Sequence, residues 1–598
     1  MNATTHDTGP GTPNADERVR RVRFGIYELD LAARELLRRG ARVKLQQKPF
    51  QILEILVERA GELVTRKDLR EKLWPDTFVG FDRSLNTAVN SLRRALGDSP
   101  AEPRFIETRS REGYRFIIPV EKLGQTAGTR AGDSGSQSIA VLPFRNSTGE
   151  SEMDYLSDGI SEAIINALSR LPEVRVMARS TVFRYRGQEV DPQIVGQDLN
   201  VRVLLTGELR SRGGALEVTV ELVDTLRGWR LWGKDFSRDR QSVFEVEADI
   251  AREVSQQLRL RLTAEERNGL GRHYTENSDA YRSYLRGRYQ LNRTTVDGLD
   301  KSLVHFDEAL AADPGFALPY AARAEACALF AYFGLRPARE VMPLAEEAAR
   351  RALEIDPNLP EAHASLAGIL KAYHWEWKLA AERYEQALRL NPNYATGRRW
   401  YADYLAALGR HEDADREMQH ALELDPFSLV IHTEVGWNAY MARNGERAMD
   451  QSLKTLEMEP RFSPAHHVLG LAYELAGKHK ESVESLQLAA EHSAGNPIAL
   501  ASLARALAVA GRRAEARKIL AALGKDSSKT YVPPYIYAVL YLGLGERERA
   551  LDYIETAFNH RDVWLVWILC DPRLDAIRTD PRFSEILRGM NLEHPGAA

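Results

Sequence analysis

FDRSLNTAVNSLRRALGD, residues 81–98, reads as one amphipathic helix, and its surroundings decide what the first part of the chain is. At about 100° per residue, Leu85, Val89, Leu92 and Leu96 fall on one stripe. Arg83, Asn86, Thr87, Asn90, Ser91 and Arg94 gather opposite. Asp82 is placed to cap the start, and Gly97 to end the helix. A charged helix face is ordinarily a solvated one. This face, however, combines arginine with Asn, Thr and Ser, and it carries no acid once Asp82 is assigned to the cap. Those side chains can hydrogen-bond base edges and phosphates.

Charge is distributed unevenly around this helix. Residues 17–120 hold 22 Lys/Arg against 15 Asp/Glu, whereas the whole chain of 598 residues has a net charge of −4. A basic module carried by an acidic body points to an anionic partner for that module. Upstream, RVRFGIYELD and ARVKL alternate like short strands, and residues 49–59 have helical periodicity. LVTRKDLREKLWP then opens a helix with Thr65 as N-cap and Asp68 at the capping-box position. Downstream, RFIETRSREGYRFIIP reads as two strands joined by a charged turn. The order is small sheet, three helices, hairpin.

Together, LVTRKDLREKLWP, RSLNTAVNSLRRALGD and FIETRSREGYRF resemble the winged helix-turn-helix effector domain of OmpR/PhoB-type regulators over about 100 residues. The resemblance implies a recognition helix in the major groove and a hairpin wing at the flanking minor groove. It assigns DNA contact to Arg83, Asn86, Thr87, Asn90, Ser91, Arg93 and Arg94 on the recognition helix. Arg109 and Arg111 on the wing and Lys67 on the supporting helix complete the set, while Gly113, Tyr114 and Phe116 serve turn and core. A DNA-binding domain placed first, ahead of a sensor-like body, resembles the ToxR/CadC-like layout. In that layout a transmembrane helix usually stands where this chain has the polar stretch EKLGQTAGTRAGDSGSQS.

After that stretch, QSIAVLPF, YLSDGISEAIINALSRL, VRVMAR and three alternating runs, VRVLLTGELRS, ALEVTVELVD and WRLWGKDF, make an α/β domain. It is similar to the domain of TolB-like and FlgO-like proteins. Asp154, Asp158 and Glu162, spaced four apart on its first helix, read as a wet acidic face. From about residue 277 the chain is nearly all helix. A mark recurs at Asp313-Pro314, Asp356-Pro357, Asn391-Pro392, Asp425-Pro426, Glu459-Pro460 and Asn496-Pro497. These prolines recur close to the period of about 34 residues of tetratricopeptide repeats. The repeats WYADYLAALGRHEDADREMQHALELDP and HHVLGLAYELAGKHKESVESLQLA resemble that family. Such arrays present a concave groove to a peptide or protein, and Arg398, Arg399, Asn438 and His467 are its candidate lining.

The expected architecture is multidomain: an N-terminal winged helix (α+β), a central α/β domain and a C-terminal all-α tetratricopeptide-repeat solenoid. Residues 1–19 are expected to be a disordered N-terminus, 20–120 the winged helix, and 121–137 a flexible linker. The α/β domain takes 138–264, the repeats 278–572, and a helical cap and tail 573–598. Cys327 and Cys570, the only cysteines, offer no CxxC spacing and suit a reducing cytoplasm. No apolar run approaches the roughly 18–20 residues of a membrane helix. LGLAYELAGKHK lacks the spacing, the hydroxyl and the preceding strand of a phosphate-binding loop. His466 and His467 have no metal-ligand spacing, and no catalytic set, metal site or cofactor is expected. The function these features point to is a cytoplasmic, one-component transcriptional regulator that binds double-stranded promoter DNA. It would work as a homodimer on DNA and bind a protein or peptide, RNA polymerase among the candidates, through its repeats. The competing reading is an interaction scaffold whose winged helix contacts protein.

Overall fold

The computed structural model describes residues 21–24, 27–31, 34–38, 41–43, 45, 47–73, 81–96, 98, 103, 105–109, 112–118, 120–123, 137–150, 153–212, 215–239, 243–258, 262–263, 270, 274–293, 295–493, 495–525 and 531–592. The expectations for 1–19 and for most of 121–137 lie outside them, as do Gly97, Arg111 and the side chains of Asp82 and Arg83. The chain divides into two compact units, 1–136 and 137–598.

In the first unit, β1 (Arg21–Phe24), β2 (Tyr27–Asp30), β3 (Glu35–Arg38) and β4 (Ala41–Val43) form an antiparallel meander. β8 (Glu121–Leu123) pairs with β1, so three residues assigned to the linker belong to this sheet. Three helices follow: α1 (Gln47–Glu58), α2 (Arg66–Leu73) and α3 (Phe81–Leu96). The hairpin β6 (Ile106–Arg109) and β7 (Gly113–Phe116) then pairs with β5 (Leu63–Thr65), which lies just before α2. Thr65 and Asp68 form the reciprocal capping box: Asp68 N–H donates to Thr65 Oγ1 and Thr65 N–H to Asp68 Oδ2, each at 3.1 Å. The Thr65 backbone donor, aided by the Thr65 hydroxyl and Arg59, holds the Asp68 carboxyl below its ordinary value. Gly113 is required where β7 meets β5, because a Cβ there would stand 2.1 Å from the Val64 carbonyl oxygen.

The second unit begins with a sheet ordered β11 (Val174–Val176), β9 (Gln137–Val141), β12 (Val203–Arg212), β13 (Ala215–Asp224) and β14 (Trp229–Asp239), with β10 (Arg145–Asn146) beside β12. The parallel β9, β11 and β12 are joined through α4 (Asp154–Ser169) and the short helices α5 (Arg179–Val182) and α6 (Pro192–Asp198). The long antiparallel strands pair directly, and α7 (Val243–Gln257) packs back on them. Alternation of buried and part-exposed residues along β13 follows from a sheet covered on one face.

Among the described residues eight helix pairs follow, from Ser278–Leu291 with Val296–Ala312 to Pro534–Leu544 with Arg547–Asn559. Alanines and glycines sit where the helices touch: Ala402, Ala414 and Ala421 are fully buried, and a Cβ on Gly470 would press on the Leu486 side chain. The punctuating acids and amides do more than end helices. Asp425 accepts from Thr181 Oγ1 at 2.6 Å and from Ser180, and Asn391 Nδ2 donates to Ser169 Oγ at 2.9 Å. Asn393 Nδ2 donates to the carbonyls of Ser169 and Val174, at 3.0 and 2.8 Å. The α/β domain is thus docked along the repeat boundaries.

The acidic face of α4 is a correction to the sequence reading. Asp158 and Glu162 are buried and Asp154 is half-buried, because the polar side of α4 meets the first repeat helix instead of water. Glu162 is held by Arg288 at 2.8 Å, Arg179 at 2.9 Å and Asn292 at 3.0 Å, and Asp158 pairs with Arg186 at 3.1 Å. Burial pushes both carboxyls up. For Asp158 it prevails, giving about 6; for Glu162, Arg288 and Arg179 outweigh it and leave the group below its ordinary 4.5.

Residues after 562 do not merely end the array. The turn Val563–Trp567 lies against the helix Ala317–Tyr332 and the π-helical turn Leu370–His374, and Trp564 and Trp567 pack edge-on to Trp437. Further on, Asp575 takes both Nη atoms of Arg443, and Trp377 Nε1 donates to the Met590 carbonyl at 2.8 Å. The repeats curl around their own C-terminal segment.

Removing one partner of a buried ion pair leaves the other charge uncompensated. Glu162→Gln is therefore expected to lower the stability of the second unit by about 3 kcal/mol at neutral pH in urea unfolding followed by tryptophan fluorescence. Since the Glu162 carboxyl lies below 4.5 in the folded protein, its contribution is complete above that pH and is lost as pH falls through the folded value. The wild-type advantage should shrink in acid; an unchanged midpoint at neutral pH contradicts the clasp.

Candidate nucleic-acid interface

α3 buries Leu85, Val89, Leu92 and Leu96 against α1 and the sheets, which turns the opposite face outward. On that face Asn86, Thr87, Asn90 and Arg94 are exposed and Ser91 is half-buried, with no acid among the described side chains. The carboxamide, hydroxyl and guanidinium groups give a surface rich in hydrogen-bond donors.

Arg93 departs from its expected role at the phosphate-contacting end. It is 6% exposed, and its Nη2 donates to the Ile106 carbonyl and to Thr108 Oγ1, each at 2.8 Å. Asp98 stands 3.7 Å from its Nε and also accepts from the backbone N–H groups of Phe105 and Ile106. The physical reason is register: Arg93 lies beside the apolar stripe, where the helix faces β6. It fastens the helix to the wing and is unavailable to a phosphate.

Lys67 is 74% exposed and 3.9 Å from Glu71, a loose pair that leaves the ammonium in water. Arg109 stands exposed on β6, 3.1 Å from Glu107, and Glu112 is exposed at the hairpin turn. The Glu112 carbonyl accepts from Arg66 N–H at 2.9 Å, tying the turn to the start of α2. Arg66 itself was missed from sequence. Its Nη2 donates to Asn86 Oδ1 at 2.6 Å, and its guanidinium lies over the Tyr114 ring. Its place directly after the N-cap Thr65, on the helix beside α3, was the available signal.

Of the four repeat residues expected in a groove, three are engaged by partners within the repeats and the fourth is buried. Arg398 pairs with Glu417 at 2.7 Å and donates to the Pro392 carbonyl, and Arg399 pairs with Glu434. Asn438 is 2% exposed. His467 meets Ser502 Oγ at 2.9 Å, stacks on Trp437, and is pushed down to about 3 by burial and by Arg573. Arg399 and His467 bridge neighbouring repeats, Arg398 ties the two helices of its own repeat, and Asn438 is buried. Among the described residues no group of His, Cys, Asp and Glu could hold a metal ion, and no helix is long and apolar enough to cross a membrane.

Residues 40–116 match the family described as "Transcriptional regulatory protein, C terminal". Residues 135–252, read from sequence as TolB/FlgO-like, match "HilA/YgeH-like transcriptional regulator, second domain". Transcriptional regulator HilA of Salmonella typhimurium is 27% identical over 68% of this chain and 71% of its own length. Putative adenylate cyclase 3 of Rhizobium meliloti is 30% identical over 38% of this chain and 39% of its own. Among solved structures, the Klebsiella pneumoniae RstA DNA-binding domain in complex with RstA box is 33% identical, covering 16% of this chain and 97% of that one, with a TM-score of 0.16. Pseudomonas aeruginosa pilF is 24% identical, covering 34% of this chain and 91% of that one, with a TM-score of 0.25. The chain joins an OmpR/PhoB-type winged helix to a HilA-like α/β domain and a helical-repeat body, and it is a DNA-binding transcriptional regulator.

Proposed function

We propose that α3 enters the major groove of promoter DNA, with Asn86, Thr87, Asn90 and Ser91 at base edges and Arg83 and Arg94 at phosphates. Arg109 and Arg111 accompany the wing to the adjacent minor groove, and Lys67 adds a phosphate contact from α2. The observation that carries this reading is the exposed, donor-rich face of α3, without an acid among its described side chains and held to the hairpin by a buried arginine. Phosphates are met by arginine and lysine, and base edges by amides and hydroxyls.

The chain acts in the cytoplasm as a one-component regulator, without catalysis of its own, and binds DNA as a homodimer. Its repeat body recruits a protein partner, with RNA polymerase the foremost candidate for a regulator at a promoter. Because the inner repeat positions are occupied by the chain's own C-terminal segment, that partner docks on the outer helices or on the α/β domain.

Binding of the full chain to the promoter duplex upstream of its own gene, measured across a salt series, tests this. Arg94→Ala should weaken binding and reduce the log–log salt slope by about one unit. Arg93→Ala should instead lower the thermal midpoint of the winged helix and leave the slope of the folded fraction unchanged. A wild-type affinity that ignores salt overturns the reading.

A further inference from the structure

The side-chain oxygen of Asn86 accepts two hydrogen bonds, from Arg66 Nη2 at 2.6 Å and from the Tyr114 hydroxyl at 3.1 Å. A carboxamide oxygen has two lone pairs, so both are in use. The orientation of the amide follows from its partners: a guanidinium has no acceptor, and turning the amide over would set NH2 against N–H. Both donors are themselves anchored. Arg66 opens α2 with its backbone N–H on Glu112, and Tyr114 is buried in β7 between Val64 and Thr108 of the neighbouring strands. Among the described residues, Asn86 Nδ2 donates to nothing, and it stands on the exposed face of α3.

We propose that Asn86 is a specificity-determining residue that reads guanine, acting as a donor only. This deepens the major-groove reading of α3 and rests on it. Asparagine commonly reads adenine by two bonds, giving Nδ2–H to N7 and taking N6–H on Oδ1. Here the second bond would require Oδ1 to release Arg66 or Tyr114. Guanine presents N7 and O6, two adjacent acceptors that the two amide hydrogens can serve together. Thymine offers the single acceptor O4 beside a methyl group, and cytosine presents a donor that meets a donor. The order at this position is guanine, then thymine, with adenine and cytosine disfavoured. Arg66 and Tyr114 act through Asn86 as positioning residues.

Selection of duplexes from a random pool by the full chain, compared among wild type, Asn86→Ala and Tyr114→Phe, tests the assignment. Asn86 is exposed and the tyrosine change removes one hydroxyl, and matching circular dichroism spectra establish that each variant is folded. Wild type should enrich guanine over adenine by about tenfold at one position. Asn86→Ala should flatten that position alone and leave the other enriched positions intact. Tyr114→Phe, which returns a lone pair to Oδ1, should admit adenine there. Enrichment of adenine by wild type that is lost in Asn86→Ala overturns the donor-only assignment, and an Asn86→Ala profile identical to wild type overturns any reading role for Asn86. Both results leave sequence recognition by α3 standing. A wild-type protein that enriches no sequence removes the major-groove reading and this assignment with it.

Discussion

The guanidinium of Arg93 is the interaction on which the DNA-facing part of the molecule depends. A buried cation is tolerated only when charge and hydrogen bonds compensate it. Here Asp98, the Ile106 carbonyl and the Thr108 hydroxyl supply both. Ile106 and Thr108 lie on β6, and Asp98 holds the backbone of Phe105 and Ile106, so satisfying Arg93 fixes α3 against β6. The opposite face of the helix then has one orientation, and β7 brings Tyr114 to Asn86. The same contact sets the packing of α3 and the orientation of its exposed face.

A related economy operates in the second unit. Asp313, Asp356, Asn391, Asp425 and Glu459, each before a boundary proline, end a repeat helix, while Asn496 starts one; in the middle of the array Asn391 and Asp425 also hold the α/β domain. Asn391 and Asp425 reach Ser169, Ser180 and Thr181, while Glu162 reaches back to Arg288 and Arg179. The α/β domain and the repeats therefore share polar contacts as well as a continuous apolar surface around Tyr281, Leu285 and Phe316. The last residues add a second closure, with Trp375 stacked on Phe558 and Trp437 held between His467 and the Trp564–Trp567 turn.

What could be read from sequence was what is local. The apolar stripe of α3, the Thr65–Asp68 capping box, the hairpin around Gly113 and the proline punctuation each depend on residues a few positions apart, and each appears in the structure. Among the side chains singled out, Asn86, Asn90, Arg94, Lys67 and Arg109 are exposed as a contact surface requires. What sequence could not supply was the fate of charges whose partners are remote. Glu162 meets Arg288 across 126 positions, and His467 feels the charge of Arg573 from the C-terminal segment. A helical wheel places such residues on a polar face; only tertiary packing decides whether that face meets water. Arg93 was not on the polar face of the wheel; the family resemblance gave it a DNA contact, and in this chain its side chain turns to Ile106 and Thr108 of β6 instead.

The central claim is that α3 occupies the major groove. Dimethyl sulfate methylates guanine N7 in the major groove and adenine N3 in the minor groove, so it probes the two grooves of a bound promoter fragment separately. The account predicts that the full chain protects guanine N7 within its site, in the groove where base edges are distinguishable. Protection confined to adenine N3, with every guanine N7 in the bound region still reactive, would contradict it.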